Sequence, residues 1–282
     1  MKMSRRTFLR TFGKAIAGSS IALAGGYVYS TRIEPGWLTI ERVQIPIKKL
    51  GSGLEGFRII QISDIHLHPY IQLEFVQKVV ALANELQPDL IVLTGDYVLA
   101  AADSVFELAP ALAALNARYG IFAVLGNHDL WTNAAVVRAG LEQAGIPVLV
   151  NDGITLGVDQ ETLYLAGLDD GWDGRPDLKA ALDKLPSDTP AILLAHEPDL
   201  ADRVAGDGRI SLQLSGHTHG GQIRLPGIGA PILPRFGKKY DQGLYNVGEM
   251  WVYTTRGVGM IGPPIRFNCP PEITEITLVG GN

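Results

Sequence analysis

The chain of 282 residues is 46% hydrophobic and 19% charged, a balance that excludes a disordered or low-complexity protein and is long enough for one large α/β core. Its net charge of −5 is unevenly spread: residues 1–34 hold six of the 24 Lys and Arg but only one of the 29 Asp and Glu, so the remainder is strongly acidic and a poor match for nucleic acid. A single cysteine, Cys269, excludes an intrachain disulfide, and with no His or cation beside it in sequence it reads as inert packing.

At the front, Ser4-Arg5-Arg6-Thr7-Phe8-Leu9-Arg10 precedes a mild apolar stretch from Ala15 to Val28 that is interrupted by Gly and Ser. Paired arginines, Phe-Leu, a basic residue and a weak hydrophobic segment resemble a bacterial twin-arginine export signal. The stretch is too short to span a bilayer comfortably and fits the apolar region of a signal peptide, with Ala22-Leu23-Ala24 as a small-residue cleavage site. The resemblance implies recognition by the twin-arginine export machinery and passage across the bacterial cytoplasmic membrane; a retained segment would be a marginal anchor at its outer face. Residues 1–34 are thus expected to be signal or anchor plus linker, and 35–282 one catalytic domain.

Along the body, Leu38 to Ile47 alternates apolar and polar residues as a half-buried strand, and Phe57 to Ile62 is a second strand running into Asp64. Helical spacing of apolar residues from Gln72 to Gln87 ends at Pro88. Leu90 to Leu93 reads as a buried strand, Ser104 to Arg118 as a helix, Ile121 to Leu125 as a strand and Asn133 to Ala144 as a helix. Repeated strand, loop and helix units imply a parallel sheet with ligands beyond the carboxyl ends of its strands. From Val148 onward short strands follow (Ile154 to Val158, Leu163 to Leu168, Ile192 to Ala195, Leu212 to Leu214, Met250 to Tyr253), divided by Gly and Pro turns, and read as a second sheet packed on the first, while Ile273 to Leu278 closes the chain with period-two alternation.

Five of the six histidines fall at strand ends, in Asp64-Ile65-His66, Gly126-Asn127-His128-Asp129, His196 and Gly216-His217-Thr218-His219, and Gly95-Asp96 adds a carboxylate. Imidazole and carboxylate gathered in this way point to a metal site, and without thiolates the mixed N/O donors suit Mn, Fe, Zn or Co. The ordered set Asp-x-His, Gly-Asp, Gly-Asn-His-Asp, His, Gly-His-x-His resembles the calcineurin-like metallophosphoesterases. Ser215 to Gln222, with Arg256-Gly257-Val258-Gly259 and Pro271-Glu272-Ile273, further resembles their exported or membrane-associated bacterial branch.

The resemblance implies a four-layer α/β/β/α sandwich of two mixed sheets with outer helices. It implies two metal ions, one held by Asp64, His66 and His219 and the other by Asn127, His196 and His217, with Asp96 bridging. A bridging hydroxide would attack phosphorus in line. His128 is then the proton donor to the leaving group, and Asp129 orients its ring and favours its charged form. His68 has no family role and reads as partly exposed or adjoining the ligands.

Arg256 and Arg266 are candidate phosphate clamps, with salt bridging the alternative. Trp131, Tyr97 and Trp172 either line a cleft or pack. The expected activity is hydrolysis of a phosphodiester or pyrophosphate bond in a phosphorylated small molecule or lipid-linked substrate. Phosphomonoesterase, a lipid A type pyrophosphatase cleaving a UDP-sugar lipid, and a non-catalytic metal-binding module remain alternatives. His-x-His-x-Asp-His metallohydrolases are disfavoured because Gly220-Gly221 follows His219.

Overall fold

The computed structural model describes residues 5–281. Ser4 of the N-terminal motif lies outside them. The N-terminal segment forms one helix, α1 (Arg5–Val28), and no described helix is long and apolar enough to cross a membrane.

Two mixed sheets follow. The first is built from β1 (Thr39–Lys48), β2 (Arg58–Ile62), β3 (Leu90–Thr94), β4 (Ile121–Val124) and the last strand, β11 (Glu272–Gly281), in the order β1-β11-β2-β3-β4. Strands β2, β3 and β4 run parallel, β11 lies antiparallel to β2, and β1 runs parallel to β11. The second sheet contains β5 (Asp152–Val158), β6 (Glu161–Gly167), β7 (Ala191–Leu194), β8 (Ile210–Ser215), β9 (Gly243–Val247) and β10 (Met250–Thr254), ordered β5-β6-β7-β8-β10-β9, with β6, β7, β8 and β10 parallel.

Three apolar interlayers hold this stack together. Helices α2 (Leu73–Glu85), α3 (Val105–Leu112) and α4 (Asn127–Gln143) cover the outer face of the first sheet. In α2 the buried residues Val76, Val79, Val80 and Ala83 recur at i, i+3, i+4 and i+7, one stripe of a helix. Side chains such as Ile59, Val92, Leu165, Leu194 and Leu214 fill the space between the sheets. The short helices α5 (Leu178–Ala181) and α6 (Ala201–Val204) cover the far face of the second sheet. The result is the four-layer sandwich expected from the motifs.

Several boundaries differ from the periodicity. Helix α3 stops at Leu112 rather than Arg118 because Asn84, from α2, donates its amide to Ala114 O at 2.8 Å and accepts from Asn116 N at 2.8 Å, which captures the backbone groups that would continue the helix. Helix α4 starts six residues before Asn133, where φ of −172° breaks it; the Asn133 side chain then accepts Val136 N–H at 3.2 Å and opens the second stretch. The strand β9 has no clear alternation and was not anticipated.

The folded body also begins earlier than residue 35. Ser30 and Glu34 are buried, Arg266 N donates to Ser30 O at 2.9 Å, and the Glu34 carboxylate accepts the N–H groups of Asn268 (2.9 Å) and Cys269.

Candidate metal centre

The residues singled out by the motifs converge at the carboxyl ends of the parallel strands. Asp64 and His66 follow β2, Asp96 follows β3, and Asn127 and His128 open α4 directly after β4. His196 follows β7, and His217 and His219 follow β8, so both sheets contribute.

The backbone there is strained. Asp64, His66, Asp96, His217 and His219 all adopt positive φ, between 50° and 73°, which L-residues other than Gly normally avoid at a cost of about 1–3 kcal/mol each. Interlocked hydrogen bonds hold them: Asp64 N donates to Gly95 O (2.9 Å), His66 N to Asp96 O (3.0 Å), and His217 N to both Asp64 carboxylate oxygens (3.0 Å). The glycines preceding the histidine motifs are required by space. A Cβ at Gly216 would sit 2.2 Å from Asp64 Oδ2, and one at Gly126 would sit 2.4 Å from Asp96 Oδ1.

The donor atoms lie within metal-binding reach. Asp64, His66 and His219 form one group, His66, Asp96 and His128 a second, and Asp64, Asp96 and His196 a third, with ligand atoms no more than 4.8 Å apart in each. His66 Nε2 faces His219 Nε2 at 3.0 Å, and Asp96 Oδ2 lies 3.5 Å from His66 Nε2 and 3.2 Å from His196 Nε2. His196 Nδ1 donates to Thr94 O at 2.6 Å, which fixes its tautomer and leaves Nε2 for the site. His217 Nε2 bonds Arg235 O at 2.7 Å, leaving Nδ1 as its free donor atom. Asn127 Oδ1 and His196 Nε2 are buried without a hydrogen-bond partner. Buried polar atoms seldom stay unpaired, and this donor set fits divalent cations.

Three of the imidazoles are electrostatically suited to ligation. Burial pushes His66 down to about 3 and His217 down to about 4, and it holds His219 well below the ordinary value, so these rings are neutral and carry lone pairs. Burial and the nearby Asp96 raise Asp64 to about 6, even against the opposing pull of His196. At His196 burial opposes charge, but the Asp96 carboxylate outweighs it and raises the imidazole, while Asp96 itself is held low.

Above the cluster is a cavity of about 440 Å³ lined by Asp96, Asn127, His128, His217 and His219 on one side and by Trp131, Trp172, Ile223 and Ile232 among others on the rest. His128 stands between the cluster and this space: its ring is edge-on to His66 with centroids 4.7 Å apart and contacts Trp131 at 4.7 Å.

A profile of the family described as calcineurin-like phosphoesterase matches residues 57–221, more than half the chain. The chain is 40% identical over 286 residues to a Bacillus subtilis protein named uncharacterized metallophosphoesterase YkuE, covering 100% of this chain and 99% of that protein. It is 36% identical over 281 residues to Escherichia coli phosphodiesterase YaeI, covering 98% and 100% of the two. A Danio rerio transmembrane protein with metallophosphoesterase domain is 36% identical over 251 residues, covering 84% of this chain and 56% of that protein.

The chain belongs to the calcineurin-like phosphoesterase family. It is a hydrolase of phosphoester bonds, and family membership together with the Asp/His clusters supports divalent metal binding.

Three sequence expectations for this phosphoesterase are corrected by the geometry. Asp129 does not orient the His128 ring: one carboxylate oxygen accepts Asp96 N (2.9 Å) and Gly126 N (3.0 Å), and the other accepts Tyr97 N (2.9 Å) and Val98 N (3.3 Å). As the third residue of α4 it reaches back over the helix start and ties down the Asp96 loop. Burial and Asp96 raise its carboxyl to about 8, against the four N–H donors.

Arg266 is not a phosphate clamp. It is fully buried and its guanidinium donates to the carbonyls of Arg256, Gly257, Gly259 and Cys269. Arg256 is engaged by Glu272 at 2.6 Å and by Glu41, and lines no part of the cavity.

Of the remaining candidates, Trp131 and Trp172 line the cavity, whereas Tyr97 is buried and its hydroxyl donates to Val124 O at 2.9 Å. His68 sits at the surface 2.9 Å from Glu107, and the buried Cys269 thiol donates to His219 O at 3.2 Å. Two residues were missed. Gln222 accepts Ile261 N–H at 2.7 Å and shapes the cavity wall, and Arg235 places its guanidinium 5.9 Å from the Trp172 ring centre. The only sequence signal for Gln222 was its place after the last histidine motif; Arg235 had none.

Proposed function

We propose that the protein is a phosphodiesterase or pyrophosphatase that uses two metal ions and acts on a substrate with an apolar, lipid-like substituent. The observation that carries this reading is the cavity wall: none of its lining residues is Lys or Arg, and most of its outer part is apolar. A diester, or a pyrophosphate esterified at both ends, carries one negative charge per phosphorus where a monoester carries up to two, so a lining without Lys or Arg favours these over the monoester. The full-length similarity to a protein named phosphodiesterase points the same way.

Asp64, His66 and His219 would hold one ion, Asn127, His196 and the Nδ1 of His217 the other, with Asp96 shared between them. Bound cations would supply an activated water and neutralise phosphoryl oxygens. The mixed N/O donors suit Mn, Fe, Zn or Co.

His128 then acts at the leaving oxygen. Its side chain lines the cavity, and its backbone N–H donates to Asp96 Oδ1 at 2.9 Å, which anchors the residue beside the cluster. Trp131 and Trp172, edge-to-face at 5.3 Å, offer an aromatic surface for the leaving group. Export by the twin-arginine machinery, from the paired Arg5 and Arg6, would deliver this activity to the outer face of the cytoplasmic membrane.

Metal analysis of the purified protein with paired assays on an aryl phosphodiester and the matching monoester tests this reading. Two metals per chain and faster diester turnover are expected; a preference for the monoester overturns the assignment of bond type. An Arg5→Lys/Arg6→Lys protein should stay in the cytoplasm on fractionation.

A further inference from the structure

The run Leu225-Pro226-Gly227-Ile228-Gly229-Ala230-Pro231-Ile232-Leu233-Pro234 contains no charged residue and no polar side chain, yet it lies at the surface. Ile228 is 75% and Ile232 80% exposed, and Leu225 joins them. Aliphatic side chains this open cost free energy in water, and a contiguous patch of them marks a contact surface. We infer that this loop is a lipid-binding lip, which dips into the apolar part of a bilayer and presents the cavity mouth to lipid.

Three further observations choose a membrane over another protein as the occupant. First, the lip is rooted beside the base of α1. Arg224 N donates to Phe267 O at 2.9 Å, the Phe267 ring is edge-on to Tyr29, and Arg266 N donates to Ser30 O at 2.9 Å, so one short run of chain connects both.

Second, α1 and its base are themselves apolar and exposed: Phe8, Leu9, Phe12, Leu23, Tyr27 and Val28 along the helix, then Ile33 and Trp37 beyond it. Exposed Arg32 accompanies them at the base of the helix. Cations beside apolar and aromatic side chains suit an anionic lipid surface, where long basic side chains reach the headgroups and aromatic rings settle at the interface. Exposed Arg235 ends the lip in the same way.

Third, the inner side of the lip is the cavity wall. Pro231, Ile232, Leu233 and Pro234 line the cavity, opposite His128 and the Asp/His cluster. A chain-bearing phosphate in the bilayer would pass along apolar wall from lipid to the cluster without crossing water. This last step rests on the proposed function; membrane docking by the lip does not.

The test uses the full chain and vesicles of phosphatidylcholine with phosphatidylglycerol. An environment-sensitive dye on an Ile228→Cys variant, with Cys269 fully buried and unreactive, should shift to the blue on adding vesicles and be quenched by brominated acyl chains, while the same dye on a Ser187→Cys variant should not respond. A Leu225→Asp/Ile228→Asp variant, which leaves the cavity-lining residues intact, should partition at least roughly tenfold more weakly and keep normal turnover of a soluble aryl diester without vesicles.

An unresponsive dye on chains that do bind vesicles would assign all binding to α1 and overturn the inference, as would equal partition of the acidic double variant. A dimer that dissociates in that variant would give the patch to a second copy and equally overturn it. Failure of the wild type to cleave any soluble diester would count against the proposed function alone, because the dye reports docking without hydrolysis.

Discussion

His66 Nε2 and His219 Nε2 face each other at 3.0 Å across the seam between the two sheets, with Asp64 Oδ1 3.3 Å from His219 Nε2. Both rings are held below their ordinary pKa by burial, so neither is a cation that would ion-pair with Asp64. Neutral donors gathered around a carboxylate are the arrangement a cation stabilises.

Metal should therefore stabilise the fold measurably. Adding Mn or Zn to chelator-treated protein at about a thousand times Kd contributes roughly 4 kcal/mol per site, or about 8–16 °C in Tm for a body of this size. Differential scanning fluorimetry with and without chelator checks this; an unchanged Tm would count against the cluster as a metal site.

Asp96→Asn should lower metal content and abolish hydrolysis while the sheets still fold. The Asp96 carboxylate reaches both His66 and His196, and an amide offers one oxygen donor where the carboxylate offers two. Inductively coupled plasma analysis together with far-UV circular dichroism distinguishes lost ligation from lost structure.

His128→Ala should behave differently. It should keep near-normal metal content and slow turnover by roughly 10²–10⁴-fold, the usual contribution of a positioned acid or base. The loss should shrink for nitrophenyl substrates, whose leaving oxygen needs little protonation. Equal losses for good and poor leaving groups would make His128 a phosphate-binding group.

Asp129→Ala removes the acceptor of four buried N–H groups, each costing about 1–3 kcal/mol when left unpaired. The expected result is a lower Tm and lost metal, because the Asp96 loop is released. If Asp129 acted by orienting His128, metal content would instead stay normal and only the leaving-group dependence would change.

Arg266→Met should destabilise the protein, by about 1–3 kcal/mol for each buried carbonyl left unpaired, and leave the KM of the surviving enzyme unaltered. A raised KM at unchanged Tm would restore the phosphate-clamp assignment.

The parts legible in the sequence were those set by local pattern. Alternation in β1 and the stripe of α2 reflect one face buried and one not, and the histidine motifs mark strand ends because ligating loops carry little else. The parts that were not legible depend on groups far apart in sequence. Nothing near Ser104 announces that Asn84 will end α3, and nothing in Gly-Asn-His-Asp says that the Asp will turn back to the loop after β3 instead of toward the adjacent histidine. Arg266 looked available in Pro-Pro-Ile-Arg because the carbonyls that absorb it belong to a turn ten residues upstream and to its own neighbour Cys269. The exposure of Ile228 and Ile232 was equally hidden, since an apolar loop and an apolar core strand have the same composition.

The Asp/His cluster draws Asp64, His66, Asp96 and Asn127 from the first sheet and His196, His217 and His219 from the second. His217 N is also bonded to the Asp64 carboxylate across that boundary at 3.0 Å. Neither sheet alone carries a full set of donors, so a complete site would exist only once the layers have docked in register. A cation held there would rivet the two halves of the sandwich together, and its release rate would report how readily they part.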